Sequence, residues 1–117
     1  MLVVDGDTPI RSVLVAALSE EGYLVESARD GQQALTRLQG DGVPDVILVD
    51  LLMPVMDGMT FLRAYHARPG PHAPVVLTST AMMMADEATG AGAAGLLLKP
   101  FELDALLALV AGYIGHT

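Results

Sequence analysis

Apolar residues fall in short, nearly unbroken runs along this chain, and stretches with helical spacing separate them. Leu2, Val3 and Val4 form the first run, stopped by Asp5-Gly6-Asp7. A helix is predicted next, with Thr8 as N-cap and Pro9 at the first helical position. Ile10, Val13, Leu14, Ala17 and Leu18 carry its apolar stripe up to Glu21-Gly22. "YLVES" reads as a short, more polar strand, and Ala34, Leu35 and Leu38 as the stripe of a short helix after Asp30-Gly31. "DVILVD" is apolar throughout, as a strand buried on both faces of a sheet must be. Met59, Phe61, Leu62 and Tyr65 suit a helix after Gly58, "RPGPHAP" a loop, and "VVLTS" a fourth strand. Met82 to Ala91 reads as a weakly patterned helix, "GLLL" as the fifth strand, and Glu102 to Ile114 as the last helix.

Strand and helix thus alternate five times. That order predicts one α/β domain over residues 1–117. Its core is a five-stranded parallel sheet with helices on both faces. At about 20–25 residues per unit there is no room for a closed eight-fold barrel. The flavodoxin-like three-layer arrangement, strand order 2-1-3-4-5, remains. In it ligands gather at the carboxyl ends of the strands, near the switch between the first and third.

Composition narrows the function. The 117 residues are 52% hydrophobic and carry a net charge of −8, with no cysteine. A core is within reach without staples. Disulfides and thiolate metal sites are excluded, and direct binding to nucleic acid is disfavoured by charge. No run of about 18 apolar residues is present to span a membrane, and the opening "MLVVDGD" is too short for a signal peptide. The expectation is a cytoplasmic domain, either standing alone or cut from a longer protein.

The run "VILVDLLMPVMDG" ends on a carboxylate, Asp50. A charge at the tip of a buried strand is costly unless it is paired or works on something. In the predicted order Asp5, Asp50, Ser79 and Lys99 all stand at carboxyl ends of strands. A carboxylate there can attack phosphorus. The acyl phosphate formed concentrates negative charge, to be offset by a fixed ammonium and a divalent cation. Lys99 suits a phosphoryl oxygen, Ser79 can donate one hydrogen bond, and the hard oxygens of Asp5 and Asp50 suit Mg²⁺.

The segments "VVDGD", "VDLLMPVMDG", "PVVLTST" and "GLLLKPF" resemble the signature segments of receiver domains of response regulators, the CheY-like modules of two-component signalling. The resemblance covers essentially the whole chain. It implies that Asp50 accepts a phosphoryl group from a histidine kinase or a phosphotransfer protein. It also implies that Lys99 and Ser79 contact that group, and that the domain switches a partner or a fused output domain, with a phosphorylation-dependent dimer as one outcome. Self-phosphorylation and self-dephosphorylation are the only chemistry it implies. Asp5, Asp50 and the backbone carbonyl of Leu52 match the family's Mg²⁺ ligands. Met53-Pro54 and Gly58 would shape the loop after Asp50, and the bond before Pro100 is often cis in the family.

Three positions depart from the pattern. Gly6 replaces the second carboxylate of the acidic pair, which contacts Mg²⁺ directly in the family, so weak Mg²⁺ binding is expected. Asp7 substitutes only if the chain bends at Gly6; its other reading is a charge at the start of the first helix. Thr80 follows Ser79 where a small residue is usual. Leu96 stands in place of the aromatic switch residue.

Plainer readings stand beside these. Asp50 as a turn cap, Lys99 as a solvated strand end, and Ser79 and Thr80 as ordinary strand residues are all chemically sound. His66, His72 and His116 sit in loop-like or terminal places with no common spacing, and no joint role is expected of them. Met82, Met83 and Met84 fill a helix–sheet gap or form an adaptable partner surface. The competing functions are a phosphorylatable receiver, a pseudo-receiver acting as a phosphate-independent interaction module, and a small flavodoxin-like enzyme. The last lacks a Ser/Thr/Gly-rich phosphate loop after the first strand, and no GxxxxGK[ST] pattern occurs.

Overall fold

The computed structural model describes residues 1–40, 43–79 and 85–114. Five strands form one parallel sheet in the order β2-β1-β3-β4-β5. They are β1 (Leu2–Val4), β2 (Glu26–Ala28), β3 (Ile47–Asp50), β4 (Val75–Ser79) and β5 (Gly95–Leu98). The helices are α1 (Thr8–Glu20), α2 (Gly31–Arg37), α3 (Gly58–Ala67), α4 (Ala85–Gly90) and α5 (Leu103–Ile114).

Alternation along the strands divides the core in two. Leu2, Val4, Ile47, Val49, Val75 and Leu77 face α2, α3 and α4 and pack on Phe61, Leu62 and Ala88. Val3, Leu48 and Val76 face α1 and α5 and pack on Leu14, Leu18, Leu106 and Val110. β3 is buried on both sides because it lies in the middle of the sheet, which is why its sequence shows no polar alternation.

Two differences from the sequence reading have a physical cause in the structure. The cap of α1 is Asp7, not Thr8: its Oδ1 accepts from Ile10 N at 3.0 Å, leaving Thr8 and Pro9 as the first helical residues. The second strand starts at Glu26 rather than Tyr23. α1 closes with Gly22 in the left-handed region (φ 92°), Gly22 N on Ser19 O and Tyr23 N on Leu18 O. That closure uses Tyr23. Pairing with the three-residue β1 then begins only at Glu26, opposite Leu2. α4 covers the later part of the helix expected over 82–91, and Met82, Met83 and Met84 lie outside the described residues.

Candidate functional site

The strand register builds the site. Val4 lies opposite Val49, so Asp5 and Asp50 follow on adjacent strands. Asp50 pairs with Thr78, and Ser79 with Leu98, so Lys99 comes next on the far side. Backbone bonds extend the ladders past the strand ends: Asp5 N to Ala28 O (3.1 Å), Leu51 N to Thr78 O (2.8 Å) and Lys99 N to Ser79 O (2.7 Å). Asp5, Asp50, Ser79 and Lys99 therefore share one rim of the sheet, as the topology predicts.

Lys99 joins the two carboxylates. Its Nζ lies 3.4 Å from Asp5 Oδ2 and 3.3 Å from Asp50 Oδ2. Asp5 is almost fully buried, at 2% exposure. Burial pushes the Asp50 carboxyl above its ordinary range; the Lys99 ammonium opposes this, and Asp5 adds to it. The three side chains together carry one net negative charge. An anion buried in this way keeps a cation close and remains a competent nucleophile.

The other polar groups of the rim are committed to its shape. Asp5 Oδ1 accepts from Asp7 N at 2.9 Å, closing a turn over Gly6, and its backbone oxygen accepts from Arg11 Nη1 at 2.7 Å. Arg11 carries no signal of its own in the sequence beyond being a cation in the first turns after an acidic strand end. The loop after Asp50 is tight. Leu52 N approaches Asp50 Oδ1 at 3.4 Å, and Met56 N donates to Pro54 O at 2.7 Å across Val55, whose φ is +68°. Asp57, the second acid of "VDLLMPVMDG", caps α3 through Thr60 N at 2.8 Å. Gly58 has no room for a side chain: a Cβ there would lie 2.7 Å from Asp50 O and 2.8 Å from Leu51 Cα. This glycine lets α3 begin directly against the end of β3.

This geometry belongs to a known family. The response regulator receiver domain family matches residues 1–111. The chain is a receiver domain of the response-regulator family. The receiver is 35% identical over 119 aligned residues to the response regulator MprA of Mycolicibacterium vanbaalenii, and equally so to MprA of Mycobacterium tuberculosis. Those alignments take in all of this chain and about half of each relative, 51%. Among solved structures, the chemotaxis response regulator CheY4 of Vibrio cholerae superposes with a TM-score of 0.86 at 34% identity, covering 96% of this chain and 95% of that one. The receiver domain of NtrX from Brucella abortus gives 0.87 at 28% identity, covering 99% and 98%. The fold is thus CheY-like, and membership in the family supports a phosphoacceptor role in two-component signalling.

Receivers generally bind Mg²⁺ at the acidic pocket, and this rim fits that ion in part. Two carboxylates meet on one ammonium, and Mg²⁺ takes one or two carboxylates plus waters. A third carboxylate is missing at Gly6, and among the described residues no group of three or more His, Cys, Asp or Glu side chains is arranged for a metal. Asp7 turns its carboxylate to the first turn of α1, the cap position. The Lys99-Pro100 peptide is cis. Leu96 packs, half-buried, against the core on the α3 side. Thr80 and His116 lie outside the described residues.

Proposed function

We propose that this receiver accepts a phosphoryl group on Asp50 from a phosphorylated histidine of a kinase or phosphotransfer protein, and passes the change to a partner or fused output domain. The observation that carries the reading is Lys99 Nζ within 3.3–3.4 Å of both Asp50 and Asp5. A carboxylate Oδ of Asp50 forms the new bond to phosphorus. The donor's P–N bond breaks, and its imidazole nitrogen leaves with the electron pair and takes a proton from water. Lys99 then holds a phosphoryl oxygen, and Ser79 donates to another. Asp5, Asp50 and the Leu52 carbonyl would hold Mg²⁺, which supplies charge neutralisation when bound. Its affinity is weak because Gly6 brings no ligand. We place this chemistry in the cytoplasm, where kinases and phosphodonors of this class act.

A groove beside the rim supports the approach of a donor. It has a volume of about 600 Å³ and is lined by Pro9, Ile10, Val13, Pro100, Phe101 and Leu103, with Lys99 in its wall. Val13 is 61% exposed there, so apolar surface stands open in the groove that Lys99 borders. A protein that presents a phosphohistidine to Asp50 covers this groove.

Gly6 and Leu96 favour a second reading, a pseudo-receiver that binds partners without phosphate. The test is incubation with Mg²⁺ and a small acyl phosphate or amidophosphate, followed by intact mass. One phosphoryl increment that disappears in Asp50→Asn supports the first reading; an unchanged mass at every donor and Mg²⁺ concentration leaves the second.

A further inference from the structure

The structure brings together two histidines that the sequence shows as unrelated. His66 lies in the last turn of α3, not in a loop, and His72 lies in the loop before β4. Both stand at the amino-terminal end of the sheet, away from Asp50. Their ring centres are 5.2 Å apart, with planes at 75°.

Each ring has one nitrogen fixed on a backbone carbonyl. His66 Nδ1 is 3.1 Å from Ala91 O, and His72 Nε2 is 2.8 Å from Arg68 O. A carbonyl only accepts, so both of these nitrogens carry hydrogen. In the neutral rings His66 Nε2 and His72 Nδ1 are then bare lone pairs. Among the described residues no buried side-chain nitrogen or oxygen lacks a partner, so these two lie where solvent reaches them. An imidazole whose N–H is held by a carbonyl while its other nitrogen is free is the usual state of a metal-binding histidine.

The spacing agrees. With metal–nitrogen distances of about 2.0–2.1 Å, each ring centre lies roughly 3.2 Å from the ion, and a tetrahedral angle separates the centres by about 5.2 Å. A cavity of about 190 Å³ lined by Tyr65, Arg68, Pro69, Pro71 and His72 opens on the His72 side of the pair and has room for water.

We propose that His66 and His72 bind one borderline divalent transition-metal ion, Zn²⁺ being the type case, with water completing the shell. Imidazole selects such ions over Mg²⁺, which stays with oxygen ligands. The ion clamps the end of α3 to the α3–β4 loop. Through the Ala91 carbonyl it also bears on the turn before β5, where Gly92 packs so closely that a Cβ would lie 2.5 Å from His66 Nδ1.

The test is titration of the whole chain with Zn²⁺, followed by calorimetry and by the imidazole resonances, with Mg²⁺ as the contrast. The expected result is one Zn²⁺ per chain, movement of the His66 and His72 resonances, and at least about tenfold weaker binding in His66→Ala and in His72→Ala. His116→Ala leaves the affinity unchanged. Unmoved His66 and His72 resonances in the wild type overturn the proposal, whatever the variants do. Zn²⁺ binding that survives in both His66→Ala and His72→Ala overturns it too.

Discussion

Val55 is a β-branched residue in a place that glycine would fill without strain. Its φ of +68° and the Met56 N–Pro54 O bond of 2.7 Å define a one-residue γ-turn in the loop after Asp50. A left-handed backbone costs an L-residue about 1–2 kcal/mol, and more where the side chain branches at Cβ. The Val55 side chain is 81% exposed, so deleting it forfeits little buried area. Glycine gives back roughly 0.5–1 kcal/mol through the freedom it adds to the unfolded chain. Val55→Gly should therefore stabilise the domain by about 0.5–1 kcal/mol. Val55→Ala keeps a Cβ and should recover only a fraction of that. Urea unfolding followed by circular dichroism reads the difference as a higher midpoint at unchanged slope. A Val55→Gly protein less stable than the wild type, or no more stable than Val55→Ala, refutes the strain at this turn.

Four further outcomes follow from the rim. Gly58→Ala forces a Cβ to within 2.7 Å of Asp50 O, and overpacking against backbone costs on the order of 1–3 kcal/mol; urea unfolding should show that loss, and wild-type stability would contradict the contact. Asp50→Asn tests the raised carboxyl. Because burial lifts its pKa above 3.8, folding favours the protonated form. The stability linked to that proton is whole at about pH 4 and below and is lost as pH rises through the raised value. Asp50→Asn should thus be more stable than the wild type at pH 7, with a gap that closes on acidification; a gap independent of pH contradicts this. Gly6→Asp should tighten Mg²⁺ binding, read by titration. Its Cβ would lie 3.0 Å from Pro54 Cδ, so the ring must yield slightly and stability falls a little. Asp7→Asn, which still caps α1, should leave Mg²⁺ affinity unchanged; a loss there would make Asp7 a ligand.

The site was legible because strand ends are legible. Asp50 and Lys99 close apolar runs, and a parallel sheet in the order found carries both to one rim. β2 was harder to place, since Tyr23 is spent closing α1 and β1 offers only three residues to pair with. Asp7 and Thr8 are both good caps, and only the turn made by Asp5 Oδ1 on Asp7 N decides between them. Arg11 acts through its reach to the Asp5 carbonyl, and His66 meets His72 through the bend of the α3–β4 loop. Neither contact has a period or a motif that a linear pattern could reveal.

The most direct measurement concerns where the phosphoryl group sits. The wild-type chain is treated with Mg²⁺ and a small acyl phosphate, then with borohydride, which reduces an aspartyl phosphate to homoserine, and is mapped by peptide mass. The account predicts conversion at residue 50 alone, slowed strongly when Lys99 is changed to Met and accelerated in Gly6→Asp. Conversion at another carboxylate, or none at residue 50 under conditions where Gly6→Asp also stays unmodified, contradicts it.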